Sequence, residues 1–428
     1  MYEYRGIDYL RKKLDHKRVR VNLRYEYYES KKMKSDKGLL IPSWMRDMYR
    51  STVGWCARGV DSLADRLTFI DFDRDTDLFD VNSIFEMNNP DLLFDSAIRE
   101  SMIGSCAFAH VTHGEGEEKM PRISILTANN ATGVMDEFTG MLKEGYAILE
   151  RDKNGHPTVE AYFTVEGTQY YEKGQPTVFE ENPGRYPLLV PIPYRPSSRR
   201  PFGHSRISRA CMAYQRYAET TIERSEISAE FYSTPQRYVT GLDPDADPLE
   251  PWRASLSAML RFDKDEDGGS PSLGQFPQMA MTPFIDELKM AASLFGGETG
   301  LTLDDLGFVQ ANPSSAEAIK ASHETLRLMA RKAQRTYASA FANIGFVAAS
   351  VRDEMPYNRS IVTGMRARWE PIFEPDASAM SVVGDGVIKI NQAVPNYFTK
   401  DNLRELTGIE AEDNEPVSVE EAEEELIE

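Results

Sequence analysis

At 428 residues the chain exceeds the roughly 250–300 at which a single core stops growing, so more than one structural region is predicted. Its 41% hydrophobic and 27% charged residues suit a folded soluble protein, and no run approaches the roughly 20 apolar residues of a membrane span. The net charge of −19 counts against a protein that grips nucleic acid, which needs Lys and Arg to neutralise phosphates. The odd, widely spaced Cys56, Cys106 and Cys211 count against a disulfide framework or a thiolate metal site and predict a reducing compartment. The basic start RKKLDHKRVRVNLR has no apolar stretch behind it, so no export signal is read there.

In chain order, residues 1–70 read as helices: a basic amphipathic start, then a segment with Trp44, Met48, Val53, Cys56, Val60, Leu63 and Leu67 at three- and four-residue spacing. Residues 100–195 alternate in hydrophobicity in CAFAHVTH, RISILTA, GYAILERD, TVEAYFTVEG and TQYYEKG, broken by Gly, Asn and Pro, which predicts antiparallel strands and hairpins. A turn-rich bridge, NPGRYPLLVPIPYRPSSRRPFGHS, leads to a long helix over 205–232. Two short strands follow, QRYVTG and SAMLRFD, with a Pro/Asp-rich turn between them and the turn KDEDGGSPS behind. A helix over 282–295 precedes a polar, Gly- and Pro-punctuated stretch. Ser314 and Glu317 then form a capping box that predicts a firm helix start at Pro313 or Ser314. Ile319, Leu326, Met329, Ala333, Tyr337, Phe341, Ile344 and Ala348 make one stripe, with Lys320, Arg327, Arg331 and Arg335 off it, so this helix is predicted to pack on one face. A strand-like RARWEPIF and one or two helices come before the end of the chain. The last 20 residues hold ten acidic groups and no Lys or Arg, a solvated, mobile charge run whose removal leaves −9 on the rest.

No stretch carries a strong catalytic signature. DKDEDGG at 263–269 has the early carboxylate spacing of a calcium loop, but Gly274 stands where the bidentate Glu belongs, so it reads as a solvated turn. His110 and His113 are three apart in a strand and point to opposite faces, which leaves them as surface histidines rather than a shared metal site. GHSRI lacks the final Gly of a nucleophile elbow, and Ser205 is read as a helix cap. A phosphate-cradling G-x-x-x-x-G-K-[ST] is absent from the sequence. No cofactor, metal or enzymatic activity is predicted.

Five segments, in order, resemble the portal proteins of tailed double-stranded DNA bacteriophages. RYEYYESKK at 24–32 is similar to the family's early Tyr-Tyr-rich segment, with Ser30 where a Gly is usual. NNPDLLFDSAIRESMIGSCAFAHV resembles its wing helix and following strand, and PFGHSRISRACMAYQRYAETTIERSEISAEFYSTPQRYVTGL resembles the stem helix leading into the clip. LGFVQANPSSAEAIKASHETL looks like the segment after the tunnel loop, and ARWEPIFEPDASAMS like the strand leading to the crown.

The resemblance implies an α+β portal fold: a mixed wing, long stem helices, a small β-containing clip, a helical crown and assembly into a ring. It places the wing at 1–204, the first stem helix at 205–232, the clip at 233–281 and the second stem helix at 282–296. The tunnel loop falls at 297–313, a long helix returning to the wing at 314–374, the crown at 375–408 and the acidic tail at 409–428. Asp304, Asp305, Gln310 and Asn312 would approach a DNA channel, with Ser314 and Glu317 capping the helix behind. Arg237, Tyr238, Trp252, Arg261, Asp263 and Asp265 would lie at the clip face that meets the terminase motor or an adaptor. Implied partners are about eleven further copies in a twelve-subunit ring, the terminase large subunit, head-completion or adaptor proteins, and major capsid and scaffolding proteins. Double-stranded DNA passes without sequence-specific binding, no membrane is involved, and the place is the portal vertex of a virion assembled in the host cytoplasm. A nuclease or hydrolase using scattered carboxylates is the rival, which a chelator-sensitive activity on DNA would favour. Another capsid or head-assembly protein is the third reading, and it predicts no closed ring.

Overall fold

The first helix, α1 (Ile7–Tyr28), buries Leu10, Leu14 and Val21 along one stripe and Tyr27 near its end. It ends in a left-handed turn in which Ser30 takes φ 53° and the Lys31 amide donates to Glu26 O at 2.9 Å. That bond closes a Schellman cap, and the residue after the helix is then best a Gly. Ser30, which stands where the portal family usually has a Gly, therefore occupies a left-handed position. A computed structural model of the chain describes residues 3–31, 51–114, 120–233, 237–240, 272–275, 280–308, 321–372, 377–395, 397–399 and 403.

Short helices follow: α2 (Trp55–Ala64) buries Trp55, Cys56, Val60 and Leu63, and α3 (Val81–Glu86) and α4 (Pro90–Gly104) flank the core after β1 (Phe69–Phe72). The next eight strands are β2 (Cys106–Thr112), β3 (Arg122–Leu126), β4 (Ala131–Met135), β5 (Leu142–Arg151), β6 (Pro157–Phe163), β7 (Gly167–Glu172), β8 (Gln175–Glu181) and β9 (Leu189–Pro193). β4 to β8 form a five-stranded antiparallel meander, and β3-β2-β9 a three-stranded antiparallel sheet. β2 is central in its sheet and buried from Cys106 to Val111, so small and apolar residues run without alternation, as a strand covered on both faces requires. β9 lies inside the segment read from sequence as a bridge of turns. Its Pro191 and Pro193 are tolerated because β9 is a sheet edge, where one row of amides needs no strand partner.

His110 is the clearest departure from the surface reading. It sits in β2 at 6% exposure, with its ring edge-on to Phe163 at 5.1 Å, while His113, just past the strand, is exposed.

The long helix α5 spans Arg209–Ser233 rather than starting at Ser205. Ser208 caps it, its Oγ accepting from the Cys211 amide at 3.1 Å. The Ser205 hydroxyl instead satisfies the end of α4, donating to Ile103 O at 2.7 Å. Beyond it β10 (Arg237–Thr240) pairs antiparallel with β11 (Ser272–Gln275), a segment partly read as a turn, whereas SAMLRFD lies outside the described residues. α6 (Thr282–Thr299) packs on α5 and runs four residues past the predicted end at 295.

α7 (Glu324–Arg352) carries the predicted stripe inward, with Leu326, Ala333, Tyr337, Phe341, Ile344 and Ala348 buried and Met329 half-buried. The one-face expectation holds only for its first half. Every residue from Ala340 to Val351 is buried, so the helix enters the core of the β2/β9 region and is covered all round. Small residues make this possible: a Cβ on Gly345 would overlap Val81 of α3. β12 (Ala367–Trp369) then returns to pair with β1, and the Arg368 guanidinium meets the Asp71 carboxylate across the pair. α8 (Ala377–Ala393) is the last described helix.

Candidate functional site

The turn after α6 holds two of the residues singled out for a channel. α6 ends where Gly300 adopts φ 75° and its amide donates to Gly296 O at 2.7 Å. The chain doubles back so closely that a Cβ on Gly296 would lie 2.6 Å from Leu301 O, so only glycine fits there. The buried Arg206 guanidinium fixes this end, with Nη2 donating to Thr299 O at 2.8 Å and Nε donating to Gly59 O of α2. One side chain thereby ties together α2, the approach to α5 and the end of α6.

Residues 301–308 are not the polar, core-free loop expected. Leu301 and Leu306 are buried, and Leu303 and Phe308 pack against the same core. The signal was present in LTLDDLGF, whose four large apolar residues fall at 301, 303, 306 and 308 around the two aspartates. Those aspartates occupy a single 3-10 turn, Asp304–Leu306, and differ in role. Asp304 is exposed. The Asp305 carboxylate accepts from the Thr302 amide at 2.9 Å and the Thr302 hydroxyl at 2.8 Å, and the Asp305 amide donates back to Thr302 Oγ1 at 3.2 Å. Arg58 Nε donates to Asp305 O at 3.3 Å, and His323 Nδ1 stands 3.8 Å from Asp305 Oδ2 at the start of α7. Asp305 thus braces the turn against α2 and α7. Gln310, Asn312, Ser314 and Glu317 lie outside the described residues.

At the second singled-out site, Arg237 and Tyr238 stand in β10 opposite Gln275 and Gly274 of β11. Trp252, Arg261, Asp263 and Asp265 lie outside the described residues, as does the DKDEDGG turn.

Sequence reasoning also passed over a ladder on α5. Gln215, Glu219 and Glu223, one turn apart, accept from the amides of Cys56 at 2.8 Å, Val53 at 3.3 Å and Ser51 at 3.5 Å. The i, i+4, i+8 spacing of three acceptors on one helix face was the legible sign. Burial pushes the Glu219 carboxyl above its usual range, against the hydrogen bonds from Gln215 and Val53.

Among the described residues no group of three His, Cys, Asp or Glu could hold a metal ion, and no helix is long and apolar enough to cross a membrane. All three thiols are buried, and burial pushes Cys106 up to about 12, which makes it a poor nucleophile at neutral pH.

No family model matches the chain. The portal protein of Mycobacterium phage D29 is 22% identical over 320 residues, which is 70% of this chain and 65% of that protein. The chain thus spans just under two thirds of that relative's length. Among solved structures, a chain from the virion of a native gene transfer agent particle shares 13% identity at a TM-score of 0.45, over 83% of this chain and 90% of that one. A chain from the neck of the native particle computed with C12 symmetry gives 13% and 0.46 over the same shares.

Proposed function

We propose that this chain is a phage portal protein: one subunit of a ring of about twelve that stands at a single capsid vertex and encloses an axial channel for duplex DNA. The observation that carries the reading is the sequence likeness to the D29 portal protein over 70% of this chain. The order of five portal-like segments along the sequence supports it. On this reading the protein has no catalytic activity of its own; motor proteins supply the work and the ring supplies the passage.

The braced turn after α6 gives the channel reading a mechanical basis. A loop that DNA slides past must hold its position against a moving polymer, and Arg206, Arg58, Asp305 and the apolar anchors do so on the inner side of the turn. Exposed Asp304, with Gln310 and Asn312, then faces the lumen, where like charge repels phosphates and keeps DNA moving. The β10–β11 pair belongs to the clip, which docks the terminase large subunit during filling and head-completion or adaptor proteins afterwards. Major capsid and scaffolding proteins surround the ring at the vertex, and assembly takes place in the host cytoplasm.

Negative-stain imaging of the purified protein, paired with light scattering, tests the reading. Rings with a stain-filled axial hole are expected. Monomer or dimer alone at micromolar concentration, with no ring at the vertex of particles, overturns it.

A further inference from the structure

In a chain of net charge −19, one surface gathers cations. Lys13, Lys17, Arg20 and Arg24 recur at helical spacing on α1, and the segment carrying Arg200, Phe202 and Ser205 lies alongside them. The first two turn inward: Lys13 Nζ donates to Gly133 O at 2.7 Å and lies 5.1 Å from the Phe202 ring, while Lys17 Nζ donates to Ala131 O at 3.2 Å and lies 5.2 Å from the Phe108 ring. Arg24 reaches the end of α4, with Nη1 donating to Gly104 O at 3.5 Å. Ser205 bonds Ile103 O, one residue away, at 2.7 Å, so the approach to α5 meets α1 at that point.

Around this junction Arg20, Arg200 and Arg209 are exposed, and among the described residues none of their guanidinium groups has an acidic partner. Burial first, and then the like charges of Arg20, Arg200 and Arg209, pull the Arg24 guanidinium down to about 10. A cluster of cations that disfavour one another, left open at the surface, is an anion-binding surface awaiting its counter-charge.

We propose that the acidic C-terminal segment 409–428 of this chain docks on the arginine surface formed by Arg20, Arg24, Arg200 and Arg209. Charge and tethering favour this occupant. The segment holds ten carboxylates and no Lys or Arg. The segment is part of the same chain, so the contact needs no second molecule. A tethered anion also competes at a high effective concentration. Duplex DNA, the other polyanion, has no such tether and must be captured from solution. The contact restrains the segment and neutralises the surface until salt or a stronger anion displaces it, and it stands whether or not the portal reading does.

The test uses the chain truncated after residue 408, the full chain, and a fluorescent peptide of sequence 409–428, with binding read by anisotropy. At low salt the peptide is expected to bind the truncated chain, and to bind the full chain about tenfold more weakly because the attached segment competes. Arg20→Gln with Arg200→Gln and Arg209→Gln in the truncated chain should weaken capture by about tenfold or more, and high salt should abolish it. Equal binding to full and truncated chains overturns the proposal; so does binding that survives the triple substitution. Displacement of the peptide by a short DNA duplex at equal or lower charge concentration overturns it in favour of a nucleic-acid surface. If the triple variant fails to fold by circular dichroism, the comparison of full and truncated chains still decides. Light scattering on the same samples reports ring formation separately.

Discussion

His110 gives the chain a pH-dependent term whose size follows from its site. The ring is buried in β2 against Phe163, and its Nε2 has no hydrogen-bond partner among the described residues. Burial alone pulls it from 6.5 down to about 4, so the folded protein holds it neutral while the unfolded chain takes up a proton near 6.5. Because the folded value is depressed, the stability this term contributes is complete above pH 6.5 and is lost as pH falls from there towards 4. The gap of about 2.5 units, at about 1.36 kcal/mol each, is ~3 kcal/mol in full. At roughly 2.1 cal/mol/K per residue, a chain of 428 residues turns that into about 3 °C of Tm. Half-buried Glu100 and buried Glu219, whose carboxyls desolvation holds above their usual range, work in the opposite direction, so the wild-type curve alone is ambiguous. The comparison with His110→Leu isolates the term, since leucine fills the site without a titrating or unpaired nitrogen. Melting is followed between pH 8 and 5 at one protein concentration, because association shifts Tm. The variant is expected to gain on the wild type by a few degrees as pH falls. A difference that stays constant across that range would show that the ring is hydrated, and the reasoning from burial would be wrong.

Ser30→Gly relieves a left-handed non-glycine cap, and a gain of about 0.5–1 kcal/mol in chemical denaturation is expected. Gly345→Ala drives a methyl into Val81 and should lose about 1–3 kcal/mol, visible as a lower denaturation midpoint with an unchanged slope. Asp304→Lys and Asp305→Lys should separate: the first, at an exposed side chain, costs less stability than the second and, on the portal reading, perturbs DNA packaging or retention in a salt-sensitive way. The second strips the acceptor from Thr302 and lowers stability by about 1–3 kcal/mol before any transport is measured. Glu144 is fully buried and accepts from the amides of Arg5 at 3.0 Å and Gly6 at 3.2 Å and from the Tyr162 hydroxyl at 2.8 Å, so it pins the start of α1 to the meander. Glu144→Ala should make the first residues far more susceptible to limited trypsin digestion while the β4–β8 meander stays resistant.

The sequence by itself determined what local chemistry and short-range periodicity can carry. The helical stripe of α7, the alternation of β3, β5, β6 and β7, and the helix–strand–helix order that resembles a portal were all legible, because each depends on residues a few positions apart. Tertiary structure decided what distant residues do to one another. Whether α7 is covered on one face or all round depends on α3, β2 and β9 closing over Ala340 to Val351, which no spacing within α7 encodes. The burial of His110 follows from its sheet packing against Phe163 of the other, and the division of labour between Asp304 and Asp305 follows from Arg58, Thr302 and His323. β9 was hidden because its prolines advertise turns, and only its place at a sheet edge makes them harmless. The arginine surface is of the same kind: Arg20 and Arg24 are separated in sequence from Arg200 and Arg209 by β1 to β9, and their mutual repulsion exists only once α1 and the approach to α5 meet at the end of α4.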